Sequence, residues 1–253
     1  MEQPNYKYLM EKTGIRFPLI GFYDTDNKSA FEPLILSRTC VFAYYKQWEK
    51  GKSLLITGNQ FGCPGAGTWL CNIKSRTKED YIKFLADDEG LKASRDLMGQ
   101  WLDHVRPYKQ QYENLIIGPL KASEYKYLKT ITFFVNPDQL SILMIGAQLF
   151  SKPCDPEPVL APFGSGCMQL VSLFDDLDIP QAIIGATDMA MRKYIPFNIL
   201  ALTVTKPMFE QLCSLGRDSY LNKKFINELK KARKNDNENR NILSGNNHET
   251  QQC

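Results

Sequence analysis

The passage from an apolar strand into a helix at residues 130–150 constrains the fold of this sequence most. TITFFVN (130–136) is short and rich in β-branched and aromatic residues, which is typical of a buried strand. PDQLSILMIGAQLF (137–150) follows with Pro137 at the first turn of a predicted helix, where a missing N–H is harmless. Asn136 suits the N-cap and Asp138 favours the helix dipole. The chain therefore packs helices against a sheet.

Further short apolar segments alternate with helical ones. Strands are predicted at 17–24, 53–57, 114–120, 180–187 and 197–204, and helices at 39–51, 77–104, 164–174, 206–216 and 217–234. This mixture predicts an α+β (or α/β) fold, with a mixed sheet and flanking helices. No internal repeat or interdomain linker is visible in the sequence, so we expect a single domain over residues 1–234. The polar, asparagine-rich residues 235–253 are predicted to form a disordered tail.

Composition and charge exclude several classes of protein. The 253 residues are 43% hydrophobic and 23% charged, which is ordinary for a globular protein. The 31 basic and 28 acidic residues give a net charge of +3, which offers no electrostatic case for a nucleic-acid partner. No run approaches the ~20 apolar residues that span a bilayer, and MEQPNYKYLMEKTG does not resemble a secretory signal. The sequence therefore predicts a cytoplasmic protein with no membrane partner; a small-molecule ligand and the oligomeric state stay open.

Common catalytic motifs are missing from the sequence. It contains no P-loop, no G-x-G-x-x-G, no H-E-x-x-H and no G-x-S-x-G pattern. Its two histidines are His104, near the end of a polar helix, and His248, in the predicted tail. A thiol or hydroxyl nucleophile activated by histidine would have to use His104, which we expect to face solvent. Histidine chemistry is therefore disfavoured.

The cysteines are the strongest candidates for chemistry. There are seven, an odd number in a chain without a visible export signal, which favours reduced thiols. Cys63 stands between Gly62 and Pro64 and is followed by Gly65. Glycines let the backbone approach a bulky ligand closely, and a following proline holds the cysteine extended. This setting favours a thiolate ligand.

Two other cysteines share that environment. Cys167 follows Gly164 and Gly166 at a predicted helix N-terminus, where the dipole lowers a thiol pKa. Cys40 stands near a helix start beside Arg38. No C-x-x-C pair occurs, so zinc-ribbon, ferredoxin and thioredoxin motifs are not supported. For each thiol the alternative is packing as a small apolar side chain, which we expect of Cys71 and Cys213.

The order of these features resembles the family catalogued as domain of unknown function 169. The resemblance runs from roughly residue 15 to 216 and is carried by PLIGFYD, the Cys40 helix, CPGAG (63–67), GPL (118–120), VNPDQLSILMIGA (135–147) and FGSGCMQLV (163–171). It implies cysteines at Cys40, Cys63 and Cys167 and a fourth within IIGATDMAMR, where this chain has Ala186. Four thiolates would imply an iron–sulfur cluster or zinc. With three, Asp188, water or a ligand fills the fourth position, or the metal has been lost.

The Asn-Pro-Asp-Gln segment also has a possible binding role. Strand ends that run into helix N-termini are common ligand sites in α/β sheets. Asn136 and Gln139 are therefore expected to line a pocket, and helix capping alone is the alternative.

Three hypotheses about function stay open. The first is a metal- or cluster-binding protein with Cys40, Cys63, Cys167 and Asp188 as ligands. The second is a metal-free domain or enzyme, in which backbone N–H groups of the turns at 62–67 and 164–166, with Arg192 close by, hold an anion and a cysteine reacts. The third is a structural or interaction protein whose cysteines only pack. Whether the protein is an enzyme is left open.

Overall fold

A computed structural model of the chain describes residues 2–35, 39–56, 64–73 and 76–245. The strands of this part form one mixed sheet: β1 Ile20–Thr25, β2 Leu34–Ile35, β3 Leu54–Ile56, β4 Asn114–Pro119, β5 Leu128–Val135, β6 Val159–Leu160, β7 Ala182–Gly185 and β8 Leu200–Thr205. Their order is β2-β3-β4-β1-β5-β8-β7-β6. The outer pairs β2/β3 and β6/β7 are parallel, and the remaining pairs are antiparallel. The predicted mixed sheet is confirmed, although the two-residue strands β2 and β6 were not predicted.

The sheet has an internal symmetry that the sequence does not reveal. Strands β1–β4 lie in the order β2-β3-β4-β1, and β5–β8 lie in the reversed order β5-β8-β7-β6. Each strand of the first half therefore corresponds to the strand four places later, and the pairing directions correspond as well. β1 and β5 meet in an antiparallel pair at the centre, as a twofold axis normal to the sheet requires. The repeat is therefore one of strand order, and it is not visible as repeated sequence.

Helices cover both faces of the sheet. They are α1 Lys7–Thr13, α2 Tyr45–Glu49, α3 Pro64–Cys71, α4 Lys78–Ile82, α5 Arg95–His104, α6 Pro137–Gln148, α7 Met189–Arg192, α8 Lys206–Cys213 and α9 Lys224–Gly245. One apolar cluster lies between the sheet and helices α1, α6, α8 and α9, and we term this side of the sheet the α6 face. The other cluster lies between the sheet and helices α2, α3, α5 and α7, and we term that side the α3 face. Strand β5 serves both, because Phe133 belongs to the first cluster and Phe134 to the second, as alternation along a strand dictates.

Three predicted segments differ from the structure. The helix predicted over 77–104 is divided into α4, a π-helical stretch Lys83–Asp88 and α5, although its predicted capping box at Thr77 and Asp80 is present. The helix predicted over 164–174 is wrong, because only Met168–Leu170 form a 3₁₀ turn. There the Leu170 carbonyl accepts a hydrogen bond of 2.6 Å from Thr130 Oγ1 on β5, so a tertiary contact replaces helical bonding.

The structure also describes part of the segment predicted to be a disordered tail. Helix α9 continues to Gly245, past the expected boundary at residue 234. No glycine or proline occurs between Gly216 and Gly245, so nothing in that stretch ends a helix. Residues 246–253 lie outside the described part of the chain. Among the described residues, no helix has both the length and the apolar character needed to cross a membrane.

Candidate functional site

Cys40 and Cys167 occupy corresponding positions in the two halves of the sheet. Cys40 lies between β2 and β3, directly before a 3₁₀ helix over Val41–Tyr44. Cys167 lies between β6 and β7, directly before the 3₁₀ turn over Met168–Leu170. Cys167 is 6% exposed within the apolar cluster of the α3 face, and Cys40 packs against the same cluster. The structure therefore brings two of the predicted thiols to one face of the sheet.

Gly166 shows how closely these turns approach one another. A Cβ atom at Gly166 would lie 2.8 Å from Cγ of Met191 and 3.0 Å from a ring carbon of Phe42. Phe42 follows Cys40 by two residues, and Met191 belongs to α7. Only glycine fits between them, so the turn that carries Cys167 is wedged between the Cys40 turn and α7.

Asp188 holds the Cys167 turn in place. Its Oδ1 accepts a hydrogen bond of 2.9 Å from the Ala190 N–H, as the N-cap of α7, and its Oδ2 accepts one of 3.0 Å from the Gly166 N–H. Burial, and then the charge of Asp188, raises the pKa of Glu89. The Gly166 N–H that was expected to bind an external anion is thus occupied by an internal carboxylate.

Ala186 and Arg192 lie in the connection between β7 and β8. Ala186 is buried with a positive φ of 61°, uncommon for a residue other than glycine, and its N–H donates to Oε1 of the buried Gln169 at 2.8 Å. The Arg192 guanidinium donates to four backbone carbonyls, those of Ala186, Pro196, Phe197 and Ile199. Arg192 therefore positions the connection between β7 and β8. Sequence reasoning missed Gln169, because a glutamine within an apolar run carries no motif.

The cysteine–proline–glycine turn is described only in part. Gly62 and Cys63 lie outside the described residues, whereas Pro64 and Gly65 open α3. Helix α3 contacts the 3₁₀ turn after Cys167, and Ser172 Oγ donates to the Trp69 carbonyl at 2.6 Å.

Asn136 and Gln139 have structural partners on their own helix. Asn136 Oδ1 accepts from the Gln139 N–H at 2.9 Å, and Gln139 Oε1 accepts from the Asn136 N–H at 3.0 Å, which completes a capping box. Gln139 Nε2 also donates to the Gly14 carbonyl at 2.9 Å. Gly164 is explained by packing too, because a Cβ there would lie 2.9 Å from Cδ1 of Leu173. Helix α6 packs on the other face of the sheet from the cysteine turns.

Cys71, Cys213 and His104 lie in the settings that the sequence predicts, whereas Cys253 and His248 lie outside the described residues. Cys71 and Cys213 lie on helices and pack against the two apolar clusters, and burial raises the pKa of each thiol to about 12. Cys154 is exposed. His104 is exposed at the end of α5, with its Nδ1 2.7 Å from the Gln100 carbonyl.

The described residues fit a metal only in part. Within them, no group of three His, Cys, Asp or Glu side chains is placed to hold an ion. They supply two thiols, Cys40 and Cys167, on one face, with Asp188 bonded to the turn of the second. Thiolates suit zinc, copper(I) and iron–sulfur clusters. A complete ligand set requires Cys63.

Comparison with known proteins identifies one similarity. The model of a family described as DUF169, uncharacterised ArCR, matches residues 8–214, which is most of the chain and includes both halves of the sheet. No curated protein and no solved structure gives a significant match.

Proposed function

The chain belongs to the uncharacterised ArCR family DUF169, and we propose that it binds zinc or an iron–sulfur cluster through Cys40, Cys63 and Cys167. One observation carries the proposal: Cys40 and Cys167 precede 3₁₀ turns at corresponding positions of the two half-sheets and join one apolar cluster. Packing alone does not require a thiol at both positions of such a repeat.

The twofold relation makes Cys40 and Cys167 a pair of candidate ligands. Cys63, which lies outside the described residues, and Asp188 are the other two. Each carboxylate oxygen of Asp188 accepts one backbone hydrogen bond and retains a further lone pair. Three thiolates and one carboxylate would thus give four donors, the usual number for zinc. Water is the alternative fourth ligand.

Electrostatics favours a cation at this place. A thiolate in an apolar cluster is unfavourable unless a positive charge accompanies it, and a metal ion supplies that charge while holding the thiol deprotonated. Asp188 adds a carboxyl group that is bonded to the turn of Cys167. The proposal requires reduced thiols, and therefore a reducing compartment such as the cytoplasm.

The proposal is tested by metal and acid-labile sulfide analysis of protein purified without oxygen from cells supplied with iron and zinc. We expect about one zinc ion or one cluster per chain, since one ligand set is present. Cys40→Ser, Cys63→Ser and Cys167→Ser should each remove most of it. Cys154→Ser and Cys213→Ser are matched controls, one exposed and one half-buried on the other face, and should retain it. The proposal would be wrong if the wild-type protein contained no metal, or if the control variants lost as much metal as the cysteine variants of the site.

A reactive thiol at Cys167 is the second candidate. Ser165 Oγ lies 3.3 Å from Cys167 Sγ, and a hydroxyl that donates to sulfur stabilises the thiolate. Iodoacetamide at pH 6.5 should then label Cys167 rapidly and stoichiometrically in metal-free protein. Slow, equal labelling of all the cysteines would contradict this role.

A further inference from the structure

A cavity of about 290 Å³ opens on the α6 face, away from the cysteine turns. Its walls are the end of α6, helix α8, residues 151–158 and residues 179–181, beside the start of β7. Met208, which is fully buried, and Phe150, which is 51% exposed, provide apolar surface. The size suits one small organic molecule, since ligand pockets begin near 300 Å³.

Gln181 is the unusual member of this lining. It is only 7% exposed, and its Oε1 is buried without a hydrogen-bond partner in the described part of the protein. Its backbone is satisfied, because its N–H donates to Thr205 Oγ1 at 3.1 Å and its carbonyl accepts from the Thr205 N–H at 2.9 Å. Buried amide oxygens are nearly always paired, and an unpaired one costs about 1–3 kcal/mol. The Gln181 side chain is therefore an unsatisfied acceptor, and a ligand that donates a hydrogen bond would satisfy it.

The other half of the sheet shows that the fold does not need this amide. Ser53 directly precedes β3, as Gln181 directly precedes β7. At Ser53 the neighbouring strand carries Gly118, whose added Cβ would lie 2.3 Å from Ser53 Oγ, so that position is close-packed. At Gln181 the neighbouring strand carries Thr205, and the chain leaves a cavity instead.

Charge decides the class of ligand. Asp155 and Glu157 line the cavity, and its described lining includes no lysine, arginine or histidine. Asp155 Oδ2 accepts from the Lys152 N–H at 2.7 Å, which holds the loop in shape. The partly exposed ring of Phe150 adds an aromatic face, which also attracts cations. An ammonium group would meet acceptors and negative charge, whereas a carboxylate would be repelled.

We propose that this cavity binds a small primary amine with an apolar body. The ammonium group donates to Gln181 Oε1 and is drawn in by Asp155 and Glu157, and the apolar body lies on Met208 and Phe150. The terminal torsion of a glutamine is soft, so the amide turns toward the ligand at little cost. This site is independent of the proposed metal site, which lies on the other face.

Titration of the metal-replete full-length protein with benzylamine, followed by calorimetry and by the Gln181 side-chain amide resonances, tests the proposal. Benzyl alcohol is the neutral probe of nearly the same shape. We expect saturable binding of benzylamine at pH 7 and binding of benzyl alcohol at least about ten-fold weaker, from the loss of a charge-assisted hydrogen bond. Gln181→Leu should weaken benzylamine about ten-fold, and Glu157→Gln should weaken it less.

Gln148→Leu is the matched control, because Gln148 is exposed on α6 outside the cavity. It should bind benzylamine as the wild type does. Gln181→Leu removes an unpaired oxygen, so its melting temperature should not fall, and lost binding cannot then reflect unfolding. Equal affinity for both probes, undiminished binding by Gln181→Leu, or no saturable binding of benzylamine at millimolar concentration would each overturn the proposal.

Discussion

The two halves of the sheet share a strand order but differ in what connects the strands. The link from β1 to β2 is a short segment, residues 26–33, whereas the corresponding link from β5 to β6 spans residues 136–158 and contains α6. The link from β3 to β4 runs through residues 57–113 with α3, α4 and α5, whereas that from β7 to β8 needs only residues 186–199. The pairing framework is therefore repeated, and the connections are where the halves specialise.

Each half fixes its connection with one buried or half-buried charged group. In the first half Asp24, which is fully buried on β1, accepts hydrogen bonds from Tyr108 Oη at 2.7 Å and from the N–H groups of Gln111 at 2.6 Å and Tyr112 at 2.8 Å. In the second half Arg192 donates to carbonyls of residues 186–199. The carboxylate of Asp24 thus holds the long connection by accepting hydrogen bonds, and the guanidinium of Arg192 holds the short connection by donating them.

The largest expected effect comes from Asp24→Ala. Removal of the buried carboxylate leaves three donors without their acceptor, one of them the buried Tyr108 hydroxyl, so the free energy of unfolding should fall by about 4 kcal/mol. Urea denaturation measures the loss, with the exposed Asp218→Ala as control. Hydrogen exchange should show loosening of residues 108–112 before β5–β8. A loss below about 1 kcal/mol would mean that Asp24 does not anchor the long connection.

Gly118→Ala tests the close packing that distinguishes the first half. The added Cβ would lie 2.3 Å from Ser53 Oγ and 2.8 Å from the Ser53 backbone, so the strands must separate. We expect a loss of about 3 kcal/mol in urea denaturation. Gly216→Ala is the control, because a Cβ at Gly216 meets nothing within 4 Å and φ there is not positive. If both variants were equally stable, the position of Ser53 would not be close-packed, and it would not differ in this respect from the position of Gln181.

Much of this framework could be predicted from local pattern. Apolar β-branched runs located β4, β5 and β8 to within a few residues, and Asn136 and Thr77 marked helix starts correctly, because capping depends on neighbours in sequence. The two-residue strands β2 and β6 are too short to carry a period, and the 3₁₀ turn after Cys167 depends on Thr130, which is distant in sequence.

The sequence nominated the thiols of the candidate site, whose role stays a prediction, but it did not indicate their surroundings. Cys40 and Cys167 were identified from glycine and helix-start settings, but their correspondence rests on strand order, which pairing across the sheet decides. The capping role of Asp188 and the four carbonyls held by Arg192 arise from contacts with segments up to 22 residues away, and no motif announces them. Cys63 stays a prediction, since it lies outside the described residues.

Arg192→Lys tests whether Arg192 holds the short connection as Asp24 holds the long one. A lysine ammonium cannot reproduce a planar fork that reaches four carbonyls, so we expect a loss of about 2 kcal/mol. Phe197 is 94% exposed at this connection, and chymotrypsin should cleave there faster once the loop loosens. Arg217→Lys, at an exposed position, should leave both stability and cleavage unchanged. Unaltered cleavage in Arg192→Lys would show that the short connection holds its shape without the fork.

The smallest expected effect is a pH dependence from Cys213. Burial, and then the charge of Glu210, raises the pKa of this thiol from 9.0 to about 12 in the folded protein. In the unfolded chain the thiol ionises at its ordinary value, so the stability it contributes is complete below pH 9 and declines as the pH rises toward 12, because only the unfolded state gains the thiolate. Urea denaturation at pH 8 and pH 10 should therefore show a smaller decline for Cys213→Ser than for the wild type. Other titrating groups are common to both proteins and cancel in that difference.

Cys71→Ser should reproduce the effect on the α3 face, since burial raises the pKa of Cys71 equally. Cys154 is the control: its thiol is exposed, so the stability of Cys154→Ser should decline with pH as that of the wild type does.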